Sequence, residues 1–212
     1  MKMKNKIFSV LFIVALISVF AIEKADAQTT KRAGIKGGLN VSNLYIDNIN
    51  DENARIGFNL GIYGQVLSSD FAALQLELLY STKGTHATYN AGPLNQEVKY
   101  NLNYLDLPVL AAIKLGESAE IHLGGYASYL LNANISYSGD LANGTDEIDK
   151  DQLKSYDFGL AGGIGFNFGA VQIGGRYNYG LVKIADTNAA RAAIGDSKNS
   201  NAQLFIAFNL SK

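Results

Sequence analysis

Between residues 34 and 210 apolar side chains recur at every second position, in eight separate runs. A period of two belongs to an extended strand with one apolar and one polar face, and it rules out an amphipathic helix as the repeating unit. Within 55–66, Ile56, Phe58, Leu60, Ile62 and Val66 share one face, with Arg55, Asn59, Tyr63 and Gln65 on the other. Leu74, Leu76, Leu78 and Tyr80 alternate with Gln75, Glu77 and Ser81, as Ile121, Leu123 and Tyr129 do with His122, Tyr126 and Ser128. The predicted strands are 34–41, 55–66, 72–83, 97–114, 121–132, 156–168, 171–181 and 203–210.

The connections between these strands run 13, 5, 13, 6, 23, 2 and 21 residues, long and short by turns. In an up-and-down meander alternate connections share an end, so the four long loops crowd one rim while the short turns and both termini share the other. Short turns on one side, long loops on the other and an even strand count characterise outer-membrane barrels. Closure has a physical cause. An unpaired N–H or C=O in hydrocarbon costs several kcal/mol, so a sheet crosses a membrane only if it has no edge. The expected fold is therefore all-β: an eight-stranded antiparallel up-and-down transmembrane barrel.

Alternation alone does not separate this fold from a soluble, lipocalin-like barrel, which also alternates. The residue types do. The apolar set contains no charged residue, whereas the polar set carries Lys36, Arg55, Glu77, Lys83, Asp106, Lys114, Asp157 and Arg176. A soluble exterior would be dense in Lys and Glu, yet only 17% of the chain is charged, against roughly a quarter in ordinary soluble domains. The polar set is instead rich in small residues, among them Gly57, Gly61, Gly124, Gly159, Gly163 and Gly174. These suit the narrow interior of eight strands, which side chains fill. Tyr and Phe near strand ends, including Tyr80, Tyr129, Tyr156, Phe168, Tyr177 and Tyr179, fit an aromatic girdle at headgroup depth. Lipid outside and side chains inside is the expectation.

Residues 1–27 read as a cleavable signal peptide: Lys2, Lys4 and Lys6, an apolar run over 7–22, then Ala25-Asp26-Ala27. The barrel domain is then 28–212, with 14 basic and 17 acidic residues and no later apolar stretch long enough for a spanning helix. Cys is absent, which excludes a lipoprotein anchor, a disulfide scaffold and Cys-ligated metal sites. A secreted chain without Cys points to a bacterial envelope, and the charge balance excludes a basic nucleic-acid binder.

Two irregularities stand out. The apolar phase slips between Leu102 and Leu105, which predicts a bulge in the fourth strand. Pro108 lies inside that strand, although proline in sheets favours edges and bulges, which predicts a place near the turn rim.

The candidate sites carry modest chemistry. Lumen charges must pair, so Glu77 and Asp106 are expected to neutralise some of Arg55, Lys36 and Arg176. His86, with Ser81, Thr85 and Glu97 nearby in sequence, is the one candidate for a rim Ser–His–acid arrangement, without a nucleophile-elbow motif; His122 reads as a lumen hydrogen-bonder. The loop 133–155 carries Asp140, Asp146, Glu147, Asp149 and Asp151, but lacks the glycine and terminal Glu of a Ca²⁺ loop. Residues 187–195 read as a short helix with a polar cap and a Gly stop. No metal, cofactor or catalytic group is expected.

Four segments also resemble a known family. Gly34-Ile35-Lys36-Gly37-Gly38-Leu39-Asn40, Tyr104-Leu105-Asp106-Leu107-Pro108-Val109-Leu110, Asp157-Phe158-Gly159-Leu160-Ala161-Gly162-Gly163-Ile164-Gly165 and Arg176-Tyr177-Asn178-Tyr179-Gly180-Leu181 are similar, in order, to the PorT-type outer-membrane β-barrels of Bacteroidetes-like bacteria. The resemblance implies an eight-stranded outer-membrane barrel and, because most members look like uncharacterised barrels, no single activity. The expected role is a monomeric structural or interaction protein that meets outer-membrane lipid with its belt and a surface partner with its loops. The alternatives are a small pore or carrier, a rim-located lipid or peptide hydrolase, and a soluble ligand carrier.

Overall fold

The computed structural model describes residues 32–45, 53–91, 94–140, 143–148, 152–188, 190–191 and 195–211. The signal peptide, Asp149 and Asp151 lie outside them. Nine strands follow in order: β1 (Ala33–Tyr45), β2 (Asn53–Val66), β3 (Ala72–Ala91), β4 (Leu94–Leu115), β5 (Ala119–Gly139), β6 (Gly144–Glu147), β7 (Tyr156–Phe168), β8 (Val171–Lys183) and β9 (Lys198–Asn209). All pairings are antiparallel, and eight strands close a ring: β1–β2–β3–β4–β5–β7–β8–β9 and back to β1. The seam joins the first strand to the last, with Gly34 opposite Asn209 and Leu210 N donating to Ala33 O at 2.8 Å. The short β6 stands outside the ring, paired only with the far end of β5 at Asn134–Tyr137.

All eight expected strands are present, and most run longer at the loop end. The largest difference is at 84–96, expected as a loop. There β3 and β4 continue as one hairpin, paired out to Ala91 and Leu94, and the 13-residue connection shrinks to residues 92–93. Polar residues such as Thr85, Asn101 and Gln96 hide this from a hydrophobic pattern, because strands beyond the membrane have no apolar face to show. The turns at the other end are short, and Gly116 and Gly169 supply the left-handed φ (67° and 62°) that they need.

The faces are sorted by chemistry. Leu60 and Leu204 are 60% and 68% exposed on the outside, whereas Lys36, Glu77 and Arg176 are 2%, 2% and 3% exposed on the inside. The soluble carrier, with its apolar side chains meeting at the axis, is thereby overturned. Glycines make room for large lumen side chains: a Cβ on Gly159 would run into the Tyr126 ring and the Tyr179 carbonyl. Gly159→Val is therefore expected to destabilise the barrel by about 1–3 kcal/mol through overpacking, seen as a lowered urea midpoint in detergent micelles.

The anticipated slip in β4 is not there. Leu102, Tyr104, Asp106, Pro108, Leu110 and Ala112 point inward without a break. The extra residue is Leu131 of β5, since Tyr104 faces Leu130 while Asn103 faces Asn132. The sequence misleads here because the inward residues on both sides of Asp106 are apolar, Leu102 and Tyr104 above it and Leu110 and Ala112 below, so an apolar residue no longer marks the outer face. Pro108 also departs from expectation. It sits seven residues from the end of β4, level with Glu77 and far from the rim. The β3–β4 ladder passes from Leu79↔Asp106 to Leu76↔Val109, skipping the two pairs where Pro108 has no N–H to donate.

Candidate functional site: the filled lumen and its cap

From the turn end upward, the lumen is built in layers. Nearest the turns, the Glu120 carboxylate accepts from Arg32 Nη1 at 2.9 Å, Gln65 Nε2 at 2.8 Å and Gln172 Nε2 at 3.3 Å, and lies 3.3 Å from His122 Nε2. His122 is wholly buried, with Nδ1 3.5 Å from Arg176 Nη2. One layer up, Glu77 sits between two cations. Arg176 grips it with two bonds of 2.7 Å, while Lys36 Nζ and Gln75 Nε2 donate to Oε1 at 2.9 and 2.6 Å. Lys36 Nζ also lies 3.7 Å from the centre of the Phe205 ring, which Arg176 shares at 5.6 Å.

Above these, Asn40 bridges to Ser81 and accepts from Asn59 and Gln203. Then Lys83 Nζ donates to Asp106 Oδ1 at 2.9 Å and lies 4.9 and 5.0 Å from the Tyr104 and Tyr126 rings. Asp157 accepts from Tyr126 Oη at 3.1 Å and Asn199 Nδ2 at 2.8 Å. Across these layers four basic side chains (Arg32, Lys36, Lys83, Arg176) face four acidic ones (Glu77, Asp106, Glu120, Asp157), while Arg55, only partly buried on the Lys83 carbonyl, adds a fifth cation at the wetter loop end. Neutrality matters because an unpaired ion away from water costs several kcal/mol.

The loop end is closed by a different material. Leu44, Leu102, Tyr104, Leu130, Ala133, Leu153, Ile184, Ala185 and Ala190 form one buried apolar cluster. Two loops are folded into it. Leu153 pairs with Ala185 across an isolated bridge, Lys154 N donates to Ile184 O at 2.8 Å, and Leu130 N to Ser155 O at 2.8 Å. The helical turn expected at 187–195 contributes Ala190, with Thr187 Oγ1 capping the Ala190 N–H and Gly195 in the left-handed region. Outside the belt, Asp196 accepts from Lys183 Nζ at 2.6 Å. That bond, with Arg191 Nε 3.1 Å away, holds its carboxyl below the usual aspartate range.

The expected site residues fall into three groups. Lys36, Glu77 and Arg176 come together. Asp106 does not join them: its partner is Lys83, which lies one layer higher on the neighbouring strand. Arg55, partly buried nearer the loop end, donates to the Lys83 carbonyl at 3.3 Å instead of a carboxylate. Sequence reasoning missed Glu120 and Arg32, because the fifth strand begins at Ala119 and the first at Ala33. Glu120 lies two positions before His122 on the same face, so the period of two reaches it once the strand is extended. The described residues of the acidic loop form no joint site. Asp140 accepts from Asn95 N at 3.0 Å, Asp146 and Glu147 sit exposed on β6, and among the described residues no three acidic or His side chains gather to hold a metal. The rim Ser–His–acid arrangement is likewise not assembled. Ser81 is buried on Asn40, His86 faces Lys99 across the hairpin, and Glu97 lies 3.2 Å from Lys99 Nζ.

A closed eight-stranded ring with neutralised charge inside and an apolar belt outside defines an integral barrel of the bacterial outer membrane. The chain belongs to the outer membrane protein β-barrel domain family, whose sequence profile matches residues 26–186. No curated protein matches it. Solved structures similar to it include the attachment invasion locus protein Ail of Yersinia pestis, at 14% identity over 86% of this chain and 100% of that one, with a TM-score of 0.47. Neisserial surface protein A matches at 12% identity over 84% and 97%, with a TM-score of 0.47. OprG of Pseudomonas aeruginosa matches at 12% identity over 84% and 91%, with a TM-score of 0.33.

Proposed function

We propose that this protein is a non-conducting, non-enzymatic outer-membrane barrel that offers its loop end as a structural or binding platform at the cell surface. Its PorT-type resemblance sets the architecture and brings no secretion role with it. The observation that carries the reading is the double closure of the lumen: stacked, mutually neutralised ion pairs through the membrane and an apolar cap where two loops fold in. A pore needs a continuous wet path, and the packing of Lys36, Glu77 and Arg176 on one another at mid-barrel argues against one. The acidic residues Asp140, Asp146 and Glu147 stand on the exposed rim, where a partner meets them.

The full-length mature barrel in planar bilayers is expected to show no steady single-channel steps; reproducible steps that vanish on boiling would assign it to pores or carriers. Protease treatment of intact cells is expected to cut within 133–155 or 182–202, the segments that this reading puts outside. Resistance of both in intact cells, with cleavage after lysis, would reverse the orientation. Processing after Ala27 is expected from the N-terminus of the mature protein.

A further inference from the structure

At mid-barrel two cations share one carboxylate. Lys36 and Arg176 both bind Glu77, whereas the layers on either side balance: Arg32 against Glu120 toward the turns, Lys83 and Arg55 against Asp106 and Asp157 toward the loops. One positive charge is left over in the middle of the lumen, where an uncompensated ion is most costly. The same place holds polar groups that no described residue meets. Arg176 gives both terminal nitrogens to Glu77, but its Nε–H, though buried, has no acceptor. Asn178 follows Arg176 on the inner face of β8 and lies directly opposite Asn201 of β9. These asparagines are 6% and 1% exposed, and Asn178 Oδ1, Asn201 Oδ1 and Asn201 Nδ2 are all buried without a partner among the described residues. Buried polar groups are nearly always paired. Neither neighbour fills the need: Gln203, opposite Arg176, donates to Asn40, and His122 offers only a ring nitrogen, 3.5 Å from Arg176 Nη2.

We propose that Arg176 Nε, with the side-chain amides of Asn178 and Asn201, holds a single chloride ion inside the barrel. The charge selects an anion: water would satisfy the amides and leave the extra positive charge, and a cation would add to it. The guanidinium Nε–H supplies a charge-assisted hydrogen bond. Each asparagine amide can turn its NH₂ group to the ion, because its oxygen is committed to no protein donor. A monatomic ion suits a lumen that side chains fill. The ion is a fixed part of the plug, completing its neutrality, and does not pass through it.

The test follows urea unfolding of the full-length barrel in zwitterionic micelles, in sodium chloride and in sodium gluconate of equal ionic strength, gluconate being too bulky to enter. Above the dissociation constant, each tenfold rise in chloride is expected to raise the ratio of folded to unfolded barrel about tenfold, with bromide acting alike and gluconate without effect. Asn201→Leu removes a donor and Lys36→Met removes the surplus charge, and each is expected to flatten the chloride dependence. Asn59→Leu, a like change at a buried asparagine of β2, is expected to keep it. Heat-modifiable migration on gels checks that the variants fold, and either of the first two suffices. A wild type indifferent to chloride would assign the unpartnered atoms to water and overturn the site. An equal response to gluconate would reduce the effect to ionic strength and overturn it too. So would a chloride dependence that survives in Asn201→Leu or Lys36→Met, or one that disappears in Asn59→Leu.

Discussion

Glu77→Ala is expected to lower the stability of the folded barrel by about 3–5 kcal/mol, because it leaves Lys36 and Arg176 buried together with no counter-ion. The three groups form one unit. Arg176 binds both carboxylate oxygens, Lys36 binds one, and both cations lie near the Phe205 ring, at 5.6 and 3.7 Å from its centre. Lys36→Met makes the ordering testable. It leaves the two-bond Arg176–Glu77 grip intact and matches the lysine stem in shape, so its cost is expected to be well below that of Glu77→Ala. Urea unfolding in micelles, followed by the gel shift between folded and unfolded forms, measures both. Equal costs for the two variants would mean that the carboxylate is not what holds the cations in place.

Charge on the outer face is expected to cost nearly as much. Leu60 lies mid-belt on β2, opposite Gly37 and Tyr80, and Leu60→Arg is expected to cost about 2–4 kcal/mol as for cations at the bilayer midplane. Leu210, just beyond β9 at the turn end, is equally open to its surroundings, yet Leu210→Arg is expected to cost at most about 1 kcal/mol near the interface. The contrast must disappear when unfolding is measured in a short-chain, water-permeated micelle. If Leu60→Arg is harmless in a full bilayer, the belt does not lie where β2 places it.

The architecture was legible because membrane and lumen impose opposite demands on alternate residues. Ile56, Phe58 and Leu60 against Asn59 and Gln65 reveal strand, face and solvent together. Legibility failed where those demands lapse. Beyond the belt β3 and β4 continue through Thr85, His86, Lys99 and Asn101, held by backbone pairing and by polar bonds such as Thr85 Oγ1 to Asn43 and Asn101 Nδ2 to Ser136, so a pattern of hydrophobicity sees a loop. Inside the cap Leu102 and Leu130 are apolar and inward, and so are Leu110 and Ala112 below Asp106, which breaks the rule that a polar residue marks the inner face. Partners within the lumen were legible only in part. That Glu77 would be neutralised follows from burial, but that Asp106 takes Lys83 depends on strand register. Register is set by turn lengths such as 116–118, which differed from the expected six residues.

The seam between β1 and β9 has a consequence for how the molecule is made. Its two flanking strands are the first and last of the ring, so every form that lacks β9 has two raw margins, and neither can be satisfied until residues 198–209 are in place. Loss of β9 would leave β1 and β8 each with an open row of N–H and C=O groups in hydrocarbon. Closure of the ring must therefore be all or nothing, with the addition of β9 as its last and decisive step.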